Sequence, residues 1–208
     1  MPPRTVLAAA AAVVVAAGCA TTSPRSTGSA PQPTLTQTID AQIEKDDAIV
    51  WTPRRLLSWA DFKGKPPDNA GVVAAETAYT IIDGVRCTGT KFEYRVVAAF
   101  RTKQSWVRQS VLRAPGASTR ALKHEQTHFD LSEVHARRLR RYFAELMAPC
   151  RMSSGDLSNA ASQIEREEKA AQARYDSESD HGRNSTQQTR WDKEVDSQLT
   201  QLVKFAFH

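Results

Sequence analysis

Several things are scarce in this chain, and each scarcity excludes something. No apolar run is long enough to cross a bilayer, which takes about 20 residues; the longest, Val6 to Ala17, falls well short. No block of like charge occurs, so an electrostatic arm for nucleic acid is not indicated. Lys and Arg number 28 against 23 Asp and Glu, an excess that bears on solubility and weak attraction to anionic surfaces rather than on fold. No internal repeat is visible. Cysteine occurs only three times in 208 residues, but a chain of this size buries a core without staples. One domain with short extras is therefore expected.

What is present at the start decides the compartment. Arg4 provides a short positive region, and the apolar stretch ends in Val15-Ala16-Ala17-Gly18-Cys19. That layout fits a secretory signal, and the small residues before cysteine resemble the bacterial lipobox, in which the sulfur is acylated. Residues 1–18 are read as a lipoprotein signal peptide and Cys19 as the lipidation site, giving a cell-envelope protein held to the membrane by its lipid. With Cys19 so used, Cys87 and Cys150 are left as one pair in an oxidising compartment and are expected to form a disulfide. The plainer alternative is two buried thiols. From Ala20 to about Gln37 the chain is Thr, Ser, Pro, Gly and Ala, too poor in large apolar groups to offset its ordering entropy. Residues 19–46 are read as a flexible tether and 47–208 as the folded domain.

Within that domain the pattern is α+β. Val72 to Ile82 is rich in β-formers and stops at Asp83-Gly84, a turn signal. Lys91 to Arg101 alternates as a half-buried strand, and Trp106 to Val111 is a plausible partner. Pro115-Gly116 breaks the pattern. A long helix is expected from Arg120 to about Met147, a second from Ser158 to Tyr175 and a third from Thr186 to Val203. Trp59, Phe62 and Trp191 read as core anchors. Arg137, Arg138, Arg140 and Arg141 read as a solvated basic face.

The chemistry-bearing pattern is His124-Glu125-Gln126-Thr127-His128. Two histidines four apart on a helix share one face and can reach one metal ion, with Glu125 beside them to take a proton from an activated water. Zinc suits such nitrogen ligands and lowers the pKa of its water toward 7. A catalytic zinc takes three protein ligands. His135 lies about 10 Å further along the axis, out of reach of the same ion, and is read as solvent-facing or as a partner behind the ligands. His208 is terminal. His181, at a helix-to-loop junction, is the leading third ligand, with Asp176, Glu178 and Asp180 as rivals. Tyr175 could donate to a developing oxyanion, although packing is the commoner role of a tyrosine at a helix end.

Three segments then carry a resemblance: Leu57-Ser58-Trp59-Ala60-Asp61-Phe62-Lys63-Gly64, the stretch His124 to Asp130, and Tyr175-Asp176 with His181-Gly182. They resemble the marker segments of a bacterial family of predicted secreted zinc-dependent proteases, otherwise a domain of unknown function, and the likeness spans most of Trp51 to Leu202. Ser179 stands where that family is expected to carry threonine. The resemblance implies a zincin-like fold, a small antiparallel sheet followed by a long metal-binding helix and two further helices. It also implies His124 and His128 as ligands, Glu125 as base, and a site near Tyr175 to Gly182. The expected activity is hydrolysis of a peptide or protein by a monomeric Zn2+ metallopeptidase. A zinc amidase acting on cell-wall peptides is one alternative, and a non-catalytic lipoprotein scaffold of the same fold is another.

Overall fold

A computed structural model describes residues 32–207. The signal peptide and Cys19 lie outside the described residues, as does the first part of the tether.

The architecture is α+β and is built around one strand. β4, Lys91–Arg101, pairs antiparallel with β3, Tyr79–Thr88, in the register Tyr79 to Phe100 through Thr88 to Lys91. On its other side it pairs with the short β1, Ala48–Val50. The sheet order is β1-β4-β3. β4 has the bounds expected for it, but it is not half-buried: Val96 to Phe100 are all 0–1% exposed. Val96, Ala98 and Phe100 pack with Phe129, Leu139 and Phe143, while Val97 and Ala99 pack with Ile82 and Ile39 on the opposite face.

That second face is covered by α1, Leu35–Lys45, so the tether reading of 35–46 is corrected. Thr34 caps the helix reciprocally with Gln37, the Gln37 amide N–H donating to Thr34 Oγ1 at 3.1 Å and the Thr34 N–H to Gln37 Oε1 at 2.8 Å. Leu35, Ile39 and Ile43 then recur every four residues against the sheet. α1 also explains why Asp83-Gly84 lies inside β3 and is not a turn. A Cβ on Gly84 would sit 2.8 Å from Leu35 Cδ1, so the glycine serves close helix-to-strand approach. The hairpin turns instead at Gly89-Thr90.

Trp106–Val107 forms β5, which pairs with β2, Ala75–Glu76, rather than with the main sheet. A short α2, Gln109–Leu112, follows, and then α3, Pro115–Glu145. Pro115 opens α3 instead of interrupting the chain, because a first-turn proline gives up an N–H that had no partner. α4, Ser154–Ser179, and α5, Ser185–Gln201, pack on α3, which lies between them and the sheet. No described helix is long and apolar enough to cross a membrane. Cys87 and Cys150 are bonded, their α-carbons 5.7 Å apart, which ties the hairpin end to the segment after α3.

The arginine stretch on α3 is not one solvated face. Arg137 and Arg140 are 4% and 5% exposed and converge on Glu133, 1% exposed, at 2.8 and 2.9 Å. Arg140 also donates to the carbonyls of Val96 and Phe205, and Arg137 to that of Leu199. Arg141 is exposed and Arg138 half-buried. Burial is tolerated because each guanidinium meets carboxylate or carbonyl oxygen. His135 is likewise buried, at 2%, with Nδ1 donating to the Leu131 carbonyl at 2.9 Å. Its pKa is lowered, chiefly by burial, so it is a neutral core residue and not a solvent-facing one.

Candidate metal centre

His124 and His128 stand one turn apart on α3 and face the last turns of α4. There Asp176 places Oδ1 3.1 Å from His124 Nε2 and 3.0 Å from His128 Nε2, and the two Nε2 atoms are themselves 3.1 Å apart. Ligands bound at 2.0–2.1 Å to one tetrahedral ion are about 3.4 Å from each other, so this triangle has the dimensions of a ligand face. His124, His128 and Asp176 are the group among the described residues able to hold a metal ion. The imidazoles are 4% and 8% exposed, and the Asp176 side chain is about a third exposed, which leaves the carboxylate side as the wetter approach.

The charges agree with a cation-seeking site. Burial pushes the Asp176 carboxyl up, but imidazoles that carry both protons donate to it through Nε2 and, with their charge, hold it far below the usual carboxylate range. Burial pulls His128 down, yet its bond to Asp176 and the negative charges of Glu125 and Asp176 raise it. Glu125 is 4% exposed, and its Oε2 has no hydrogen-bond partner among the described residues. A buried carboxylate oxygen left unpaired is costly. Glu125 is adjacent to His124 in the chain and its charge is felt at His128, and the donor set of two histidines and one carboxylate is one that could hold a metal ion.

His181 is not in the triangle. Asp180, His181 and Gly182 all have positive φ, at +50°, +52° and +77°, a left-handed run that ends α4. The His181 imidazole is 59% exposed, with Nδ1 3.4 Å from Asp176 Oδ1. Gly182 passes directly over His124 instead. A Cβ there would lie 2.9 Å from His124 Cβ, so the glycine admits the backbone against the imidazole. Of the remaining rivals, Glu178 accepts from Trp191 Nε1 and pairs with Arg190, while Asp180 pairs with Arg183.

Tyr175 is fully buried. Its hydroxyl donates to Gln188 Oε1 at 2.8 Å, and its ring stacks on His124 at 4.7 Å. It forms a wall behind the imidazoles and has no hydroxyl to offer a substrate. Trp191 packs against it, and Phe62 against Phe100, as core anchors. Trp59 meets Phe62 edge-on and donates to Ser118 Oγ at 2.8 Å.

Other members of the histidine motif act as fasteners. Gln126 Oε1 accepts from the Leu57 N–H at 2.7 Å, and Asp130 Oδ1 accepts from Trp51 Nε1 at 2.7 Å and from Gln126 at 2.8 Å. The segment around Leu57 is thereby locked to α3. Sequence reading missed Gln172 and Gln188, which stand behind the imidazoles: Gln172 Oε1 is 2.6 Å from His128 Nδ1, and Gln188 Oε1 is 3.2 Å from His124 Nδ1. Position 172 lies one turn before Asp176 on the same face, which was the available signal.

One turn further along, Glu168 is 4% exposed and hydrogen-bonds Ser132. Burial pushes its carboxyl up to about 7. The folded value exceeds the unfolded one, so the neutral acid stabilises the fold fully below about pH 4.5, and that contribution is lost as pH rises through 7. Stability is expected to fall by about 3 kcal/mol from this group between pH 4.5 and 8. Denaturant titrations of wild type and Glu168→Gln across that range would test it. An equal pH-dependent loss in both would count against the assignment.

No curated protein and no solved structure matches the chain. A family model does: residues 52–182, from just after Trp51 to the glycine that covers His124, match the model described as bacterial protein of unknown function (DUF922). That span includes the motif helix, Asp176 and the segment around Leu57, though not Trp51 or Gln188, and the chain belongs to this family.

Proposed function

We propose that the protein is a zinc-dependent metallopeptidase of the bacterial cell envelope, held to the membrane through lipid on Cys19 and acting as a monomer of zincin-like character on peptide or protein substrates. The observation that carries the reading is the convergence of His124, His128 and Asp176 within 4.8 Å, with an unpaired buried oxygen of Glu125 on the same helix. His124, His128 and Asp176 would hold the metal. Zinc in such a setting supplies Lewis acidity toward a carbonyl and lowers the pKa of water to about 7.

The protein's own part is proton transfer and positioning. Glu125 takes a proton from the attacking water as its oxygen bonds to the scissile carbonyl carbon. It then returns that proton to the leaving amine nitrogen as the C–N bond breaks. Tyr175 and Gly182 hold the His124 ring between them, and Gln126 keeps the helix in place against Leu57.

The test is reconstitution. Purified mature protein, stripped with chelator and reloaded, should bind one zinc per chain and cleave an unfolded protein such as casein, with activity lost on chelation and restored by zinc. Cleavage of cell-wall peptides but not casein would favour the amidase form of the reading. Stoichiometric zinc with no hydrolysis of either would favour a scaffold. Failure to bind zinc, or activity untouched by chelation, would remove the proposal.

A further inference from the structure

The two glutamines behind the imidazoles are tied on both sides. Gln172 Nε2 donates to the His128 carbonyl at 2.9 Å, and Gln188 Nε2 donates to Asp192 Oδ1 at 2.7 Å. A carbonyl and a carboxylate only accept, so each amide must present its nitrogen there and its oxygen to the histidine. An amide oxygen also only accepts. The nitrogen it faces, Nδ1 of His128 or of His124, must therefore carry a proton, and the lone pair of a neutral imidazole is left on Nε2. Both Nε2 atoms point into the triangle with Asp176.

We propose that Gln172 and Gln188 are positioning residues, two-faced amides that fix both metal-facing imidazoles as the Nδ1–H tautomer and so assemble the donor face before any ion arrives. The inference rests on His124 and His128 being the metal ligands. It does not require that the protein cleave anything.

Neither amide is replaceable by a carboxylate. Glutamate at 172 would set an oxygen against the His128 carbonyl, and glutamate at 188 would set one against Asp192. The neutral amide has a chemical effect as well. A carboxylate behind a ligating histidine draws the Nδ1 proton and raises the basicity of the ligand; an amide does so less, and leaves a bound dication more electrophilic. With Asp176 and Glu125 as the nearby carboxylates, a divalent ion brings the formal charge of the centre to neutrality. Gln188 has a second duty: its Oε1 also accepts from Tyr175, so the wall behind His124 and the tautomer of His124 are set by one atom. Thr127 Oγ1 donates to the same Asp192 oxygen at 2.9 Å and holds that acceptor in place.

The experiment uses the mature protein labelled with nitrogen-15 at histidine. In wild type, Nδ1 of His124 and His128 should stay protonated at every pH at which the protein is folded, with and without zinc. Gln172→Leu and Gln188→Leu should each bind zinc 10–100-fold more weakly in chelator competition. In the metal-free Gln172→Leu protein, only the His128 ring should become a mixture of tautomers, and in Gln188→Leu only the His124 ring; a merely structural role would not produce that selectivity. Nε2-protonated neutral rings in wild type, or leucine variants with unchanged tautomers and unchanged affinity, would overturn the proposal. If a variant does not fold, the wild-type spectrum decides alone. Zinc binding with the expected tautomers but no hydrolysis would sink the peptidase reading and leave this one standing.

Discussion

Glu125→Gln is expected to keep its metal and lose its chemistry. Glu125 contributes no atom to the triangle of His124, His128 and Asp176, so zinc affinity should stay within a few-fold of wild type. Glutamine has the same shape but cannot accept the proton of an attacking water, and kcat should fall by about 10²–10⁴-fold, the usual contribution of a general base. KM should change little, because the lost interaction is made in the transition state. A second reading comes from stability. The wild-type carboxylate is buried with one oxygen unpaired, which is unfavourable for the resting fold, so the metal-free variant should unfold no earlier than wild type. Active sites commonly retain such costs for function. A variant that keeps a tenth or more of wild-type activity would remove Glu125 from the role of base.

The second large effect is expected at Glu133. It is 1% exposed and is the common anion of Arg137 and Arg140. Glu133→Ala would leave two guanidiniums buried without a counter-charge, and breaking a buried pair from one side costs about 3–5 kcal/mol. Against a total stability of about 5–15 kcal/mol, that is a large fraction, and the urea midpoint should fall accordingly. Because Arg140 also holds the carbonyls of Val96 and Phe205, central strand and chain end should loosen together. Removing the exposed pair of Lys91 and Glu93 should change stability by less than 1 kcal/mol. Urea titration measures both, and a Glu133→Ala loss below 1 kcal/mol would show that the cluster is dispensable.

The parts of the fold read correctly from sequence are those governed by local periodicity. Lys91 to Arg101 shows its bounds in the residues themselves, and the three long helices show their apolar spacing, with polar caps at Ser153 and Asn184. The errors arose where a distant element changed the meaning of a local signal. Asp83-Gly84 is a turn dipeptide in isolation, and only the approach of Leu35 makes it a strand interior. α1 carried a legible mark in Thr34, Gln37 and the Leu35-Ile39-Ile43 spacing, but the Thr- and Pro-rich residues before it masked the boundary. Glu133, Arg137 and Arg140 recur at helical spacing as a charged stripe, which looks solvated until the sheet and chain end close over it. At the site, the two histidines were legible because one helix turn sets their geometry. The third group was not, because α4 runs on past Tyr175 to Ser179 and carries Asp176 toward the histidines, while His181 falls in the left-handed turn that follows. No local pattern announces that turn.

The helix that covers the sheet from outside also sets where the domain can be cut. A chain begun at residue 47, where composition alone places the boundary, would lack α1 and bare Ile82, Val97 and Ala99 to water. These residues lie on paired strands, and an uncovered apolar sheet face is an invitation to self-association. A shortened version of this protein should therefore begin no later than Pro33, ahead of the Thr34 cap.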